Sequence, residues 1–310
     1  MCAKLVVLGS VNADHMIRVP RFARAGETLR GSGYRIAYGG KGANQAVAAA
    51  RLKDPNTQVD FIACLGNDDI GRTMKAAFAK DGINTATITQ VEQEMTGVAM
   101  IQVADNGENS IVINAGANAC LDEHLVSCYA AHIQQADALL MQLETPLSAI
   151  CKAAQIAKQN GTKVILNPAP AQALPEELLR QLYMITPNET EAEILTDIKV
   201  EDKISAAQAA KRFHQLGVQI VLITLGAKGV YFSENGQGQI IGGFRVKAKD
   251  TTAAGDTFNG ALAVALLEGK TLTNAIRFAH AAAAISVTRE GAQPSIPSRA
   301  EALDFLEKQG

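Results

Sequence analysis

The densest chemical signal in the sequence is Asp250-Thr251-Thr252-Ala253-Ala254-Gly255-Asp256-Thr257-Phe258-Asn259-Gly260, where small residues run into a helical stretch with an acid at its mouth. Successive backbone N–H groups of Ala253, Ala254 and Gly255 would converge on an anion, and a helix N-terminus adds partial positive charge there. Asp256 beside such a nest is a candidate proton acceptor or, more plainly, an N-cap, a role Asp fills well. A second signal, Gly39-Gly40-Lys41-Gly42-Ala43-Asn44, opens an alanine-rich helix. Its glycines either let a ligand approach free N–H groups or simply make a tight turn, and the G-x-x-x-x-G-K-[ST] spacing of a Walker A loop is absent. A third, Thr224-Leu225-Gly226-Ala227-Lys228-Gly229, is a turn between apolar runs that suits nucleotide phosphates or an ordinary β-turn. In the fourth, Thr186-Pro187-Asn188-Glu189-Thr190-Glu191, a strand end meets an acidic helix start, which reads as a capping box or as a ligand for a magnesium-bound water.

These signals need a scaffold, and short apolar runs alternating with segments of helical period supply one. Strands are predicted at Leu5 to Leu8, Val59 to Cys64, Ala138 to Leu143, Val164 to Asn167, Met184 to Thr186, Ile220 to Leu225 and Gly229 to Ser233. Helices are predicted at Ala43 to Leu52, Gly71 to Asp81, Pro146 to Asn160, Glu189 to Leu195, Ser205 to Leu216, Asp256 to Glu268, Leu272 to Val287 and Arg299 to Gln309. The alternation is that of an α/β protein with a largely parallel sheet covered by helices. His15 to Tyr38 and Thr96 to Asn114 break it: both read as extended chain with turn residues, able to form a small separate sheet.

Composition narrows the function classes. A chain of 310 residues suits two domains or one large α/β domain with an appendage, and 47% hydrophobic against 19% charged residues is a globular balance. The formal net charge of −2 leaves no global field for a nucleic acid or an anionic membrane. No apolar run reaches the roughly 18 residues of a membrane span, so a soluble, unexported, cytoplasmic protein is expected. The five cysteines form no C-x-x-C pair, which argues for reduced thiols over disulfides or zinc. No G-x-G-x-x-G follows the first strand, which weakens a dinucleotide oxidoreductase.

Taken in order, the four signals resemble the ribokinase-like (phosphofructokinase-B) sugar kinases, and the resemblance spans nearly the whole chain. It is carried by Gly9-Ser10-Val11-Asn12-Ala13-Asp14, Gly39 to Asn44, Met141-Gln142-Leu143-Glu144, Asn167-Pro168-Ala169-Pro170, Thr186 to Glu191 and Asp250 to Gly260. Arg277-Phe278-Ala279-His280-Ala281-Ala282-Ala283-Ala284 and Gly291-Ala292-Gln293-Pro294-Ser295 strengthen it, and within the family the blocks are those of its ribose-phosphorylating members. The clearest departure is extra length around Lys53 to Asn56, remote from every motif.

The resemblance implies a mostly parallel central sheet with a small β-sheet lid. The large nucleotide- and sugar-binding domain would comprise residues 1–14, 39–95 and 115–310, and the lid residues 15–38 and 96–114. It implies ATP-dependent phosphorylation of D-ribose at the 5-hydroxyl, with Asp256 as base and Ala253 to Gly255 as anion hole. Asn12, Ala13, Asp14, Gly40, Lys41, Gly42, Ala43, Asn44, Glu144 and Asp256 would hold the sugar. Asn188, Thr224, Leu225, Gly226, Ala227, Lys228, Gly229, Gly255 and His280 would lie along ATP, with Glu191 organising a hydrated magnesium ion. Potassium would take oxygens from Asp250, Thr252, Ser286, Arg289, Gly291 and Ser295. An isolated lid sheet has two faces and too little core, so its outer face is expected to pair with a second copy in a homodimer. The rivals are another sugar or nucleoside kinase of the family and a catalytically silent sugar-binding regulator, against which the intact Gly255-Asp256 pair argues.

Elementary chemistry constrains the base. An ordinary Asp has a pKa of about 3.9 and water one of about 15.7, so full proton transfer from an alcohol before attack is uphill by on the order of 16 kcal/mol. The proton must move late, after the O–P bond has begun to form, and catalysis then rests on placement and charge stabilisation. Three carboxylates, Asp14, Glu144 and Asp256, against the single Lys41 make a poor pocket for an already phosphorylated sugar and a good one for a free polyol. Aromatics at 5% with no tryptophan give no sign of a stacking platform for a nucleoside acceptor.

Overall fold

In the computed structural model, which describes residues 3–309, the apolar runs become strands and the periodic segments helices. The strands are β1 (Ala3–Leu8), β2 (Asn12–Val19), β3 (Ser32–Gly39), β4 (Thr57–Gly66), β5 (Ile88–Val91), β6 (Gly97–Ala104), β7 (Asn109–Asn114), β8 (Ala138–Met141), β9 (Lys163–Leu166), β10 (Met184–Ile185), β11 (Ile220–Thr224), β12 (Val230–Glu234) and β13 (Gln237–Ile241). The helices are α1 (Lys41–Leu52), α2 (Asp69–Lys80), α3 (Glu123–Cys128), α4 (Ala130–Gln134), α5 (Leu147–Gln159), α6 (Glu176–Gln181), α7 (Glu189–Thr196), α8 (Lys203–Gln215), α9 (Ala254–Leu267), α10 (Leu272–Ser286) and α11 (Arg299–Gln309).

The large sheet has the order β13-β12-β11-β10-β9-β8-β1-β4-β5, parallel throughout except for the β11-β12-β13 edge. Its central strands read as unbroken apolar runs because both faces are covered. On β1, Leu5 and Val7 face one core layer, shared with α1, α9 and α10, while Val6 and Leu8 face the other, shared with α5 and α8. Helices α1 and α9 come unusually close at Gly260, where a Cβ would lie 2.6 Å from Gln45 O and 2.7 Å from Ala48 Cβ. The expected α/β architecture is therefore present, with departures at its margins. The edge strands β5 and β13 went unpredicted because their polar sequences, ITQV and QGQII, carry no continuous apolar run. Helices α3, α4 and α6 span only five or six residues, too short to show a period.

The second sheet has the order β3-β2-β6-β7, with β2 and β6 parallel and both outer pairs antiparallel. It reaches deeper than His15 to Tyr38 suggests: Asn12 pairs with Gly39 and Asp14 with Ala37, so Asn12, Ala13 and Asp14 are themselves strand residues. No helix among the described residues is long and apolar enough to cross a membrane. Cys64, Cys120, Cys128 and Cys151 are free thiols, burial pushes Cys64 up to about 12, and Cys2 lies outside the described residues.

Candidate active site

The loops that leave the C-terminal ends of β9, β10 and β11 meet the start of α9, as expected for an open α/β sheet. Lys41, Asn188, Glu191, Thr224, Gly255 and Asp256 line one cavity of about 220 Å³ there. A larger cavity, of about 320 Å³, lies at the opposite ends of β10 and β11 beside Tyr183, His214 and Glu234, and holds none of the motif residues.

Helix α9 starts at Ala254, two residues before the predicted start, so Asp256 sits inside its first turn and is not its N-cap. The N-cap is Ala253, whose φ of 58° is left-handed, a conformation that costs an alanine about 1–2 kcal/mol. Ala253, Ala254 and Gly255 line the cavity, and within the turn Ala254 N donates to Thr251 O at 3.2 Å. Asp256 is buried, and its carboxylate accepts Asn44 Nδ2 at Oδ2 (3.0 Å) and Gln45 Nε2 at Oδ1 (2.9 Å). Burial raises its pKa; the Lys41 charge and the two amides pull it down without cancelling that rise, and Glu144 adds to it.

Glu144 is near enough to Asp256 for its charge to be felt there, and Asp14 is near enough to feel Glu144 in turn. Glu144 Oε2 accepts Ser10 Oγ at 2.6 Å and the Lys41 N–H at 3.0 Å, which ties the start of α1 to the loop after β8. Burial, with the Glu144 charge second, pushes the Asp14 carboxyl up to about 7. Gly42 allows the close approach: a Cβ there would lie 2.5 Å from Gly9 C and Ser10 N, and Gly40 takes a φ of 89° to admit the same turn. Ala13 and Ala43 are fully buried and Ala43 N donates to Ser10 O at 2.9 Å, so these two shape the site by packing rather than by facing a ligand.

On the opposite side, Asn188 and Glu191 form a capping box at the start of α7. Glu191 N donates to Asn188 Oδ1 at 2.8 Å and Asn188 N to Glu191 Oε2 at 2.9 Å, a complete capping box, while both residues also line the cavity. Glu191 Oε1 takes no part in that box, and burial raises the carboxyl pKa. Asn188 bridges to Thr224, from which Leu225, Gly226, Ala227, Lys228 and Gly229 turn back into β12 outside the cavity lining. Lys228 is exposed and 3.6 Å from Glu189. His280 is also outside that lining: it is buried in α10 edge-on to Phe258, its Nε2 lacks a partner, and burial lowers its pKa to about 4, which keeps it neutral.

Asp250 ties the loop before α9 to the loop after α10. Asp250 Oδ1 accepts Thr252 N (2.9 Å) and Oγ1 (2.6 Å), and Oδ2 accepts Gly291 N (2.8 Å). Burial would raise the Asp250 pKa, but these bonds outweigh it and hold the carboxyl low. Ser286 and Ser295 are fully buried and donate to Ala283 O and Ala292 O, which leaves their hydroxyl lone pairs free. The Arg289 guanidinium pairs with Glu301, so Arg289 has only its carbonyl to offer a cation. No group of three or more His, Cys, Asp or Glu that could hold a metal ion occurs among the described residues. Sequence reasoning passed over Gln45 and Asn118 and singled out no role for Ser10, Gln142 and Asn167 within their motifs.

Sequence and structure comparisons agree with this architecture. The profile of the pfkB family carbohydrate kinases matches residues 3–299. The curated ribokinase of Haemophilus influenzae is 62% identical over 303 residues, 98% of each chain. Among solved structures, Arabidopsis thaliana ribokinase complexed with ribose and ATP superposes with a TM-score of 0.94 at 35% identity over 99% of each chain. Thermotoga maritima ribokinase gives 0.90 at 40% identity over 99% of this chain and 100% of its own. With a family profile matched from β1 to α11 and relatives of this identity aligned nearly end to end, the chain belongs to the pfkB family of carbohydrate kinases.

Proposed function

We propose that this carbohydrate kinase transfers the γ-phosphoryl group of ATP to the 5-hydroxyl of D-ribose, giving D-ribose 5-phosphate and ADP. The observation that carries the reading is the Asp256 carboxylate, buried under the α9 nest and held at both oxygens, on the wall of a cavity that Asn188, Glu191 and Thr224 also line. Asn12, Asp14, Lys41, Asn44 and Glu144 would hold the sugar hydroxyls. Asn188, Thr224, the 225–229 turn and His280 would lie along the nucleotide. Magnesium carried by ATP would supply charge neutralisation on the phosphate oxygens, its waters ordered by Glu191. Potassium would sit among Asp250, Thr252, Ser286, the Arg289 and Gly291 carbonyls and Ser295, and fix the loop that leads to Ala253.

The hydroxyl oxygen forms its bond to phosphorus while ADP leaves, and the hydroxyl proton passes late to Asp256, whose raised pKa suits it to receive that proton. The N–H groups of Ala253 to Gly255 stabilise the charge that develops on the transferring group. Above this site the second sheet would act as a lid that excludes water as a competing acceptor, and its exposed face would pair in a homodimer. Asp256→Asn keeps shape and removes the base, so turnover should fall by about 10²–10⁴-fold with sugar affinity retained. Coupled ADP-release assays over ribose, deoxyribose, fructose and adenosine measure this, and near-normal turnover by Asp256→Asn would sink the assignment.

A further inference from the structure

Gln45 has no exposed surface. Its Nε2 donates to Asp256 Oδ1 at 2.9 Å and to Asn167 Oδ1 at 3.0 Å, and its Oε1 accepts Gln142 Nε2 at 2.6 Å. Chemistry fixes this orientation. Asp256 as a carboxylate can only accept, and Asn167 gives its own Nδ2 to the Thr186 carbonyl at 3.2 Å, which turns its Oδ1 toward Gln45. Only an NH₂ group satisfies both acceptors, and Gln142 then meets the remaining oxygen. The close packing at Gly260 brings α1 near enough for consecutive residues, Asn44 and Gln45, to grip the two oxygens of one carboxylate on α9.

We propose that Gln45 is a positioning residue for phosphoryl transfer: it fixes the plane of the Asp256 carboxylate against the acceptor hydroxyl, while Gln142 and Asn167 fix Gln45. The inference rests on the reading of Asp256 as the base. Asn44 alone holds one oxygen and leaves the carboxylate free to swing about its Cβ–Cγ bond, and a misplacement of about 1 Å can cost on the order of 10²-fold in rate. The Gln45 donor also favours the charged form of Asp256, alongside Lys41 and against burial and the Glu144 and Glu191 charges that face it.

Gln45→Met removes both donors at nearly constant volume, and Gln142→Met withdraws only the support of Gln45. In coupled assays Gln45→Met should lower kcat by roughly 10–100-fold with KM for ribose and for ATP within about threefold, and should move the acid limb of the kcat–pH profile upward by on the order of one unit. Gln142→Met should show the same changes, smaller. An unchanged kcat and acid limb in Gln45→Met, with Asp256→Asn inactive, overturns this inference and leaves the base in place. An active Asp256→Asn removes the base and the inference with it. If Gln45→Met shows no cooperative thermal melt, Gln142→Met decides, and an acid limb identical to that of the parent protein overturns the proposal.

Discussion

Asn118 and Asn12 form a buried amide pair at the root of the small sheet: Asn118 Nδ2 donates to Asn12 Oδ1 at 2.9 Å. The same Nδ2 reaches Val11 O at 2.9 Å, and Asn118 Oδ1 accepts Val11 N at 2.8 Å. Asn118 thus clamps the segment where β1 of the large sheet gives way to β2 of the small one. The bond from Asn118 also orients the Asn12 side-chain amide, whose oxygen faces Asn118.

The first prediction concerns this clamp. Asn118→Ala leaves the Val11 N–H and carbonyl and Asn12 Oδ1 buried without partners, each at about 1–3 kcal/mol unless water replaces them. The melting temperature should drop and D-ribose affinity should weaken by about tenfold or more, read by calorimetry. A variant that melts lower yet binds the sugar like the parent would limit Asn118 to a purely structural role.

Gln45 illustrates how far the sequence could be read. Strands such as β1 and β4 were legible because burial on both faces forces an unbroken apolar run, and the glycine-rich turn and Asp256 because their chemistry is local. Gln45 follows directly after that turn but owes its role to Gln142, Asn167 and Asp256, which lie 97, 122 and 211 residues away. No spacing rule spans such separations. One signal was available: α1 is buried along nearly its whole length, and a polar side chain in such a helix must find partners. The start of α9 was misjudged for a related reason, since Ala253 takes the left-handed turn usually left to glycine and so hides the boundary.

A second prediction follows from Asp14. Its carboxyl rises from 3.8 to about 7 in the folded protein, which therefore holds more protons than the unfolded chain between those values. Its contribution to stability is then fully present below about pH 4 and is lost as pH rises through 7. Sugar hydroxyls that donate to the carboxylate favour the charged form, so binding near pH 7 should release a proton. Calorimetry in buffers of different ionisation enthalpy should detect that proton, and Asp14→Asn should abolish it while weakening affinity by on the order of tenfold. Buffer-independent heats with the parent protein would contradict the role given to Asp14.

The third prediction concerns the outer face of the small sheet. Ile36, His15, Met100 and Val112 stand opposite one another across its four strands, and Met100 and Val112 are 56% and 67% exposed. Such a row on a thin sheet calls for a cover, and a second copy of the same row is self-complementary under two-fold symmetry. If the proposed lid and dimer hold, Met100→Glu with Val112→Glu should convert a dimer into a monomer in sedimentation velocity and raise KM for the sugar. A parent protein that sediments as a fully active monomer at micromolar concentration would refute the dimer.

The fourth prediction is the response to potassium. Asp250 joins two loops through the bonds to Thr252 and Gly291, and those loops frame the approach to the Ala253 turn. Lys249 N donates to Val287 O at 2.7 Å, so the end of α10, which carries Ser286, belongs to the same corner. A cation held there by hydroxyl and carbonyl oxygens would stiffen the nest without touching the reacting atoms, so its effect should fall on turnover and not on the chemistry's pH dependence. With magnesium and ATP saturating, activity in buffer free of sodium and potassium should rise several-fold on adding potassium. Asp250→Ala should blunt that rise and also lower basal turnover, because it parts the two loops even without the ion. Ser295→Ala separates these effects: it removes one candidate ligand and keeps the Asp250 clamp, so only the potassium response should weaken. Equal rates with potassium and with a bulky organic cation at matched ionic strength would eliminate the site and leave Asp250 as a loop clamp alone.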